Sequence, residues 1–288
     1  MNVVYAAQEL EQQPRAVAIG SFDGVHRGHV AVVDALFATG LGATVVTFDP
    51  HPRVALGNQV ELLTTQQRKL ELLAELGVED VLVVRFDLEL ARLEPEDFVR
   101  QVLEPIGCQI VVAGADFRFG RGRAGDLALI RSLGYDVRNA PEVAGVSSTR
   151  IRELVHAGDL TGAAQLLGRP FELDGTVVAG DQRGGTLGFP TANLSVSADL
   201  LVPPYGIYAG LARGHRAAIS IGVNPHYGGA ERRIEPHLLD FEGDLYGERL
   251  VVELWAYLRE ERAFASEEEL IAQIGHDVEA TRGAIRPA

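Results

Sequence analysis

Two histidines three residues apart, His26 and His29, stand in the string GSFDGVHRGH at 20–29. It follows the apolar run AVAIG at 16–20 and leads into the amphipathic run VAVVDALFA at 30–38. That order describes a strand, a glycine-bearing turn and a helix. In an open parallel sheet, ligands bind where the strands end and such turns begin. Glycines there let a ligand come close to the backbone. A helix starting near His29 aims its unpaired N–H groups and positive dipole end at the same place. A phosphate suits that place, and imidazole N–H groups can reach its oxygens. Two surface histidines at an ordinary strand–turn–helix junction satisfy the same spacing.

A second candidate is VSSTRIR at 146–152, a helix start with three hydroxyls and two arginines. Its N–H groups and guanidinium groups are phosphate donors. An ordinary Ser/Thr cap with helix arginines reads the same way. A third is GDQRGGTLGFPTANL at 180–194. Its glycines expose backbone N–H groups that can form an anion nest. Thr191 and Asn193 lie two apart, so an extended segment points both to one side. A hydroxyl and an amide oxygen are hard ligands, suited to Mg2+ that carries nucleotide phosphates. A glycine- and proline-rich hairpin turn is the alternative.

The surrounding elements must position these residues. In the first half, apolar runs at 16–20, 43–48, 81–86 and 110–114 alternate with helical patterns at 29–39, 65–77, 95–107 and 124–134. Continuous β-branched runs separated by helices predict a parallel sheet covered on both faces. Two more helical patterns follow, at 148–158 and 160–168. From Arg169 the runs shorten, alternate, and are punctuated by Gly and Pro, which predicts an antiparallel barrel or sandwich. A closing helix over 266–283 begins with a capping-box pattern, Ser266 and Glu269. The expected division is therefore residues 1–168 and 169–288, an α/β domain and an all-β domain.

With 288 residues, 47% of them hydrophobic, the chain has ample material for two cores. Its formal net charge of −14 disfavours broad attraction to nucleic acid or to an anionic membrane. No apolar run approaches a membrane span, and the N-terminus does not read as a signal peptide. Cys108 is the single cysteine, so neither an internal disulfide nor a cysteine metal cluster is expected. A cytoplasmic enzyme is the expectation. Lys69 is the single lysine and lies in a helical pattern without a glycine loop, which excludes a P-loop. It reads as an exposed helix residue. His51, in DPHP, either lines the first site or shapes its loop, and Trp255 reads as core. Scattered Asp, Glu and His give no tight metal-ligand spacing.

The strings GSFDGVHRGH, TFDPHPR (47–53), GADFRFGRGRAGD (114–126) and VSSTRIREL (146–154) resemble the adenylyltransferase module of the bacterial bifunctional riboflavin kinase/FAD synthetase family. GDQRGGTLGFPTANL, PPYGIYAG (203–210), SIGVNPHYGG (220–229), IEPHLLDFEGDLYGERL (234–250) and LREERAF (258–264) resemble its riboflavin kinase module, in the same order. The resemblance implies a Rossmann-like nucleotidylyltransferase domain followed by a small closed antiparallel β-barrel with a C-terminal helix. It implies that His26 and His29 contact ATP and stabilise charge on its α-phosphate, with Gly20, Phe22, Asp23 and Gly28 in the nucleotide site. It places Ser148, Thr149 and Arg152 on the β- and γ-phosphates, and Asp116, Phe117 and Arg118 in the nucleotide and flavin region. In the kinase module it makes Glu235 the general base. It puts Gly180, Gly188 and Pro190 in the nucleotide site, with Thr191 and Asn193 as Mg2+ ligands. ATP, riboflavin and FMN are the implied partners, and flavins are substrates and products.

The chain departs from the family pattern at Ala115, Gly185, His226 and Pro236. A nucleotidylyltransferase for another phosphorylated small molecule, or a flavin-binding regulator with an inactive barrel, is the competing reading. Self-association is left open.

Overall fold

A computed structural model describes residues 1–179, 189–223 and 232–288. The chain divides into two compact units, Met1–Val60 with Gln66–Ser147, and Glu61–Thr65 with Ser148–Ala288.

The first unit holds a six-stranded parallel sheet: β1 Asn2–Val4, β2 Arg15–Ile19, β3 Gly42–Asp49, β4 Asp80–Arg85, β5 Cys108–Ala113 and β6 Asp136–Asn139. The spatial order is β1-β4-β3-β2-β5-β6. From β2 the chain steps outward through β3 to β4, then returns to place β5 on the other side of β2. The neighbours β2 and β5 therefore flank the switch point, where a doubly wound sheet opens a crevice at its carboxyl ends. The turns after these two strands carry GSFDG and GADFR.

The helices follow from apolar stripes and caps. They are α1 Arg27–Phe37, α2 Pro52–Ala55, α3 Gln66–Glu75, α4 Pro95–Phe98 and α5 Leu127–Ser132. Helix α4 runs on into a π-helical turn, Val99–Leu103. In α5, Asp126 is the N-cap and accepts from the N–H groups of Ala128 and Leu129, both at 2.9 Å. The expected strands and helices of this unit are present. Two edge strands, β1 and β6, add to them.

The second unit contains α6 Ser148–His156, α7 Leu160–Leu167 and an antiparallel sheet. Its strands are β7 Phe171–Val178, β8 Asn193–Val196, β9 Gly206–Ala212, β10 His215–Val223, β11 Arg232–Leu238 and β12 Arg249–Arg259, in the order β11-β10-β9-β12-β7-β8. The Ala192 N–H, just ahead of β8, donates to the Pro236 carbonyl in β11 at 3.0 Å. That bond draws the two end strands together into a nearly closed barrel. The chain ends in α8, Glu267–Gly283, capped by Ser266, whose Oγ accepts from the Glu269 N–H at 3.3 Å.

The contact division precedes the boundary expected at 168/169. Helices α6 and α7 bury Ile151, Val155, Leu160, Ala163 and Leu167 in one cluster with Phe171 and Leu173 of the barrel. Residues 61–65 join them, with Leu62 bonded through its backbone to Asp199 and Leu201. A helical period locates an apolar stripe without saying which core receives it.

Candidate functional site

The first candidate site grows from the end of β2. Helix α1 starts at Arg27, two residues earlier than the sequence pattern predicts, and His26 is its N-cap. The reason is a reciprocal cap made by the histidines. The His29 N–H donates to His26 Nδ1, and the His26 N–H donates to His29 Nδ1, both at 3.3 Å. The rings stack with centroids 3.7 Å apart and 13° between planes. Because each Nδ1 accepts, the proton of each neutral ring belongs on Nε2. The capping leaves both imidazoles with fixed tautomer and fixed orientation.

The turn beneath them is tightly built. Phe22 and Val25 hold positive φ, 51° and 39°, and both are buried. Such backbone persists only where its surroundings over-determine it. Asp23 is buried as well, and the Phe22 ring packs on His29 with centroids 5.0 Å apart. Gly20 adjoins Phe22: a Cβ there would stand 3.3 Å from the ring. At Gly28 a Cβ would stand 3.1 Å from the His26 ring. Gly28 thus makes room for the His26 imidazole, beyond the close ligand approach read from sequence.

Lys69 corrects a second expectation. It is 6% exposed, on the inward face of α3. Its Nζ donates to the Ser21 carbonyl at 3.2 Å, Thr47 Oγ1 at 3.1 Å and the Phe48 carbonyl at 3.4 Å. Burial pushes its ammonium down to about 8, while Asp23 and Asp49 favour the charge. The sequence held a signal: Lys69 shares the i, i+3, i+4 stripe with Leu72 and Leu73.

After β5, Asp116 and Arg118 are exposed and Phe117 is half-buried. Phe117 stacks on Phe119 at 5.5 Å, and Arg118 Nη1 donates to the Phe117 carbonyl at 2.7 Å. His51 caps α2, its Nδ1 accepting from the Arg53 N–H at 3.2 Å. Ser148 and Thr149 open α6 within the second unit, and Arg152 Nε donates to the Glu61 carbonyl at 2.6 Å.

The second candidate site lies where β8 meets β11. The Ala192–Pro236 bond brings the segment that carries Thr191 and Asn193 against the strand that carries Glu235. The His237 ring lies 2.7 Å from the Pro190 carbonyl through Nδ1, and edge-on to Phe189 with centroids 5.6 Å apart. Glu235 is half-buried, with Arg233 Nη1 3.6 Å from its Oε1. Pro236 occupies the outermost strand of the sheet order, where a missing N–H is tolerated. Thr191 and Asn193 are half-buried. Among the described residues, no group of three or more His, Cys, Asp or Glu side chains can hold a metal ion. Gly180, Gly185, Gly188 and His226 lie outside the described residues.

A cavity of about 650 Å³ opens beside this junction, lined by Phe189, Pro190, His237, Phe241, Asp240 and Arg282 among others. Arg282 and Asp240 form a two-bond pair, both bonds at 2.8 Å, which holds the Asp240 carboxyl below the usual range. Sequence reasoning missed Phe189, Phe241 and Arg282. Asp240 and Arg282 stand 42 residues apart, beyond any local pattern.

Among the described residues no helix is long and apolar enough to cross a membrane. A family model described as FAD synthetase matches residues 8–152, and one described as riboflavin kinase matches 167–285. The bifunctional riboflavin kinase/FMN adenylyltransferase of Listeria monocytogenes is 39% identical, over 93% of this chain and 91% of its own length. The Escherichia coli K12 protein of the same name is 37% identical over the whole of both chains. A crystal structure from Streptococcus pneumoniae, named a macrolide-efflux protein, superposes with a TM-score of 0.86 at 29% identity, covering 97% of this chain and 98% of that one. Full-length similarity to the curated relatives, joined to a match in each half, settles the classification: the chain belongs to the family of bifunctional riboflavin kinase/FMN adenylyltransferases.

Proposed function

We propose that the barrel phosphorylates riboflavin to FMN and the α/β unit adenylylates FMN to FAD, with ATP the donor in both. The observation that carries the second reaction is the capped pair His26–His29 at the carboxyl end of β2, beside the switch point.

In adenylyl transfer, a phosphate oxygen of FMN attacks the α-phosphorus of ATP, and pyrophosphate leaves. No enzyme nucleophile is needed, so the task is positioning and stabilising charge. Each Nε2–H is a donor for an α-phosphate oxygen, and the reciprocal caps supply the preorganisation. Gly20 and Gly28 keep the backbone and the His26 ring in place. Phe22 and Asp23 shape the turn from below. Asp116, Phe117 and Arg118 take the nucleotide and flavin region at the end of β5. Ser148, Thr149 and Arg152 keep the role the resemblance implies, donors to the β- and γ-phosphates.

In riboflavin phosphorylation, Glu235 takes the proton from the ribityl 5′-hydroxyl as that oxygen attacks the γ-phosphorus, and ADP leaves. Thr191 and Asn193 would hold Mg2+, which would neutralise charge on the ATP phosphates. Their hard oxygens fit that ion, and Pro190, Gly180 and Gly188 complete the nucleotide reading. The cavity between Phe189 and Phe241 is of a size that takes a planar ring system. FMN leaves the barrel before it is adenylylated, because the two reactions have separate nucleotide motifs. Cytoplasmic residence belongs to the same reading, since both reactions draw on ATP. Nucleic acid and membrane have no part in it.

The test is a time course with riboflavin, ATP and Mg2+, the flavins being separated by chromatography. FMN followed by FAD is the expected result. FAD from supplied FMN without FMN from riboflavin would remove the kinase. Flavin binding without ADP or FAD would replace both activities with a regulator. A product from another phosphorylated acceptor, with FMN inert, would redirect the α/β unit.

A further inference from the structure

Lys69 is a buried cation with no place in the chemistry above. Burying an ammonium carries a desolvation cost, so the site must return something. What it returns is a junction. The three acceptors lie at the carboxyl ends of two paired strands: Ser21 just after β2, which flanks the switch point, and Thr47 and Phe48 at the end of its neighbour β3. Thr47 Oγ1 also donates to the Ser21 carbonyl at 3.2 Å, so the amine, the hydroxyl and the carbonyl close one network. Ser21 immediately precedes Phe22, the first of the two buried residues with positive φ, and the turn then leads to the His26 cap.

We propose that Lys69 is a positioning residue for adenylyl transfer: its ammonium ties the ends of β2 and β3 together and fixes the strained turn that aims His26 and His29. The role rests on the assignment of FMN adenylylation to this unit. A methionine matches the length of the lysine stem but offers no donor. It would leave the Ser21 and Phe48 carbonyls without their donor from α3, and the turn would be free to relax. Asp23 and Asp49 would lose their neighbouring cation in the same step.

The experiment uses the full chain and measures FAD formation from FMN and ATP–Mg2+. Lys69→Met is expected to lower kcat about ten- to a hundredfold, the scale of a misplacement near 1 Å, with KM for ATP and FMN within about threefold. Circular dichroism should match the wild type, and riboflavin phosphorylation by the same preparation should be unchanged. Lys69→Arg keeps a charged donor and is expected to recover at least about a third of the wild-type kcat. Thr47→Val, which removes one acceptor of the network, should lower kcat several-fold and serves if Lys69→Met does not fold. Wild-type kcat in Lys69→Met, equal loss in the Met and Arg variants, or an unchanged Thr47→Val where Met fails to fold would each overturn the role. The wild type run alongside separates the two readings. No FAD from it overturns the adenylylation assignment and this role with it; normal FAD formation in both proteins overturns the role of Lys69 alone.

Discussion

The two candidate sites are built on opposite plans. At the end of β2, the two histidines and the turn that carries them come from one ten-residue string, and their order is maintained by local caps, a strained turn and a buried lysine beneath it. At the barrel, Thr191 and Asn193 come from the start of one end strand and the residues just ahead of it, and Glu235 from the other end strand, joined through the Ala192–Pro236 backbone bond. The first is a loop site on a rigid sheet; the second is a seam between strands. A loop site depends on whatever keeps one short segment in an uncommon conformation. A seam depends on register, and its side chains inherit their places from the ladder.

The largest effects should separate the two plans completely. Glu235→Gln removes the proposed base and keeps the shape, so FMN formation should fall about a hundredfold or more while FAD formation from supplied FMN continues. His29→Ala removes both a proposed phosphate donor and half of the reciprocal cap, so FAD formation should fall about a hundred- to a thousandfold while riboflavin is phosphorylated normally. Flavin chromatography on each variant, with each substrate, reads both activities. Equal loss of both activities in either variant would contradict two independent sites.

A smaller change probes the loop plan by itself. Gly28→Ala adds a methyl 3.1 Å from the His26 ring, tighter than ordinary contact. The ring must give by a few tenths of an ångström, which moves the stacked pair. FAD formation should fall roughly tenfold, less than on deletion of His29, and FMN formation should not change. A Gly28→Ala enzyme as fast as the wild type would show that the stacked geometry is not what sets the rate.

The difference in plan also explains what could be read from the sequence. The parallel sheet was legible because β2, β3, β4 and β5 are buried on both faces and read as continuous apolar runs. The edge strands were not: β6 is DVRN, largely exposed, and β1 has three residues. GSFDGVHRGH was legible because its chemistry is contiguous. The histidine caps were less so, since histidine is not among the usual N-cap residues, and α1 starts two residues early for that reason. The barrel cavity is lined in part by Asp240, just after β11, paired with Arg282 of the last helix, a meeting that no spacing rule encodes. Lys69 was misread because residue type outweighed position. A lysine suggests water, whereas its place on the Leu72–Leu73 stripe pointed inward.

The smallest expected effect supplies the control for Lys69. Cys108 is another buried ionisable group of the same unit, at the start of β5 and so at the opposite end of that strand from the switch point. Burial pushes its thiol up from 9.0 to about 12. In the unfolded chain the thiol loses its proton near 9, whereas in the fold it keeps it. The folded state binds the extra proton, so its stability is full below pH 9 and is lost as pH rises toward 12, by up to about 1.4 kcal/mol per pH unit. Lys69 has the opposite sign: its lowered value makes the fold shed a proton that the unfolded chain retains, so its contribution rises from about pH 8 to about 10.5. Cys108→Ala should therefore be less stable than the wild type at pH 7, by about 1 kcal/mol for the small void. That deficit should shrink between pH 9 and 10, as denaturation midpoints at each pH will show. FAD formation at pH 7 should be unchanged, because the thiol touches neither the turn nor the histidines. A Cys108→Ala enzyme slowed as much as Lys69→Met would mean that any disturbance of this core reaches the loop. The lysine would then be one more buried residue rather than the anchor of the site.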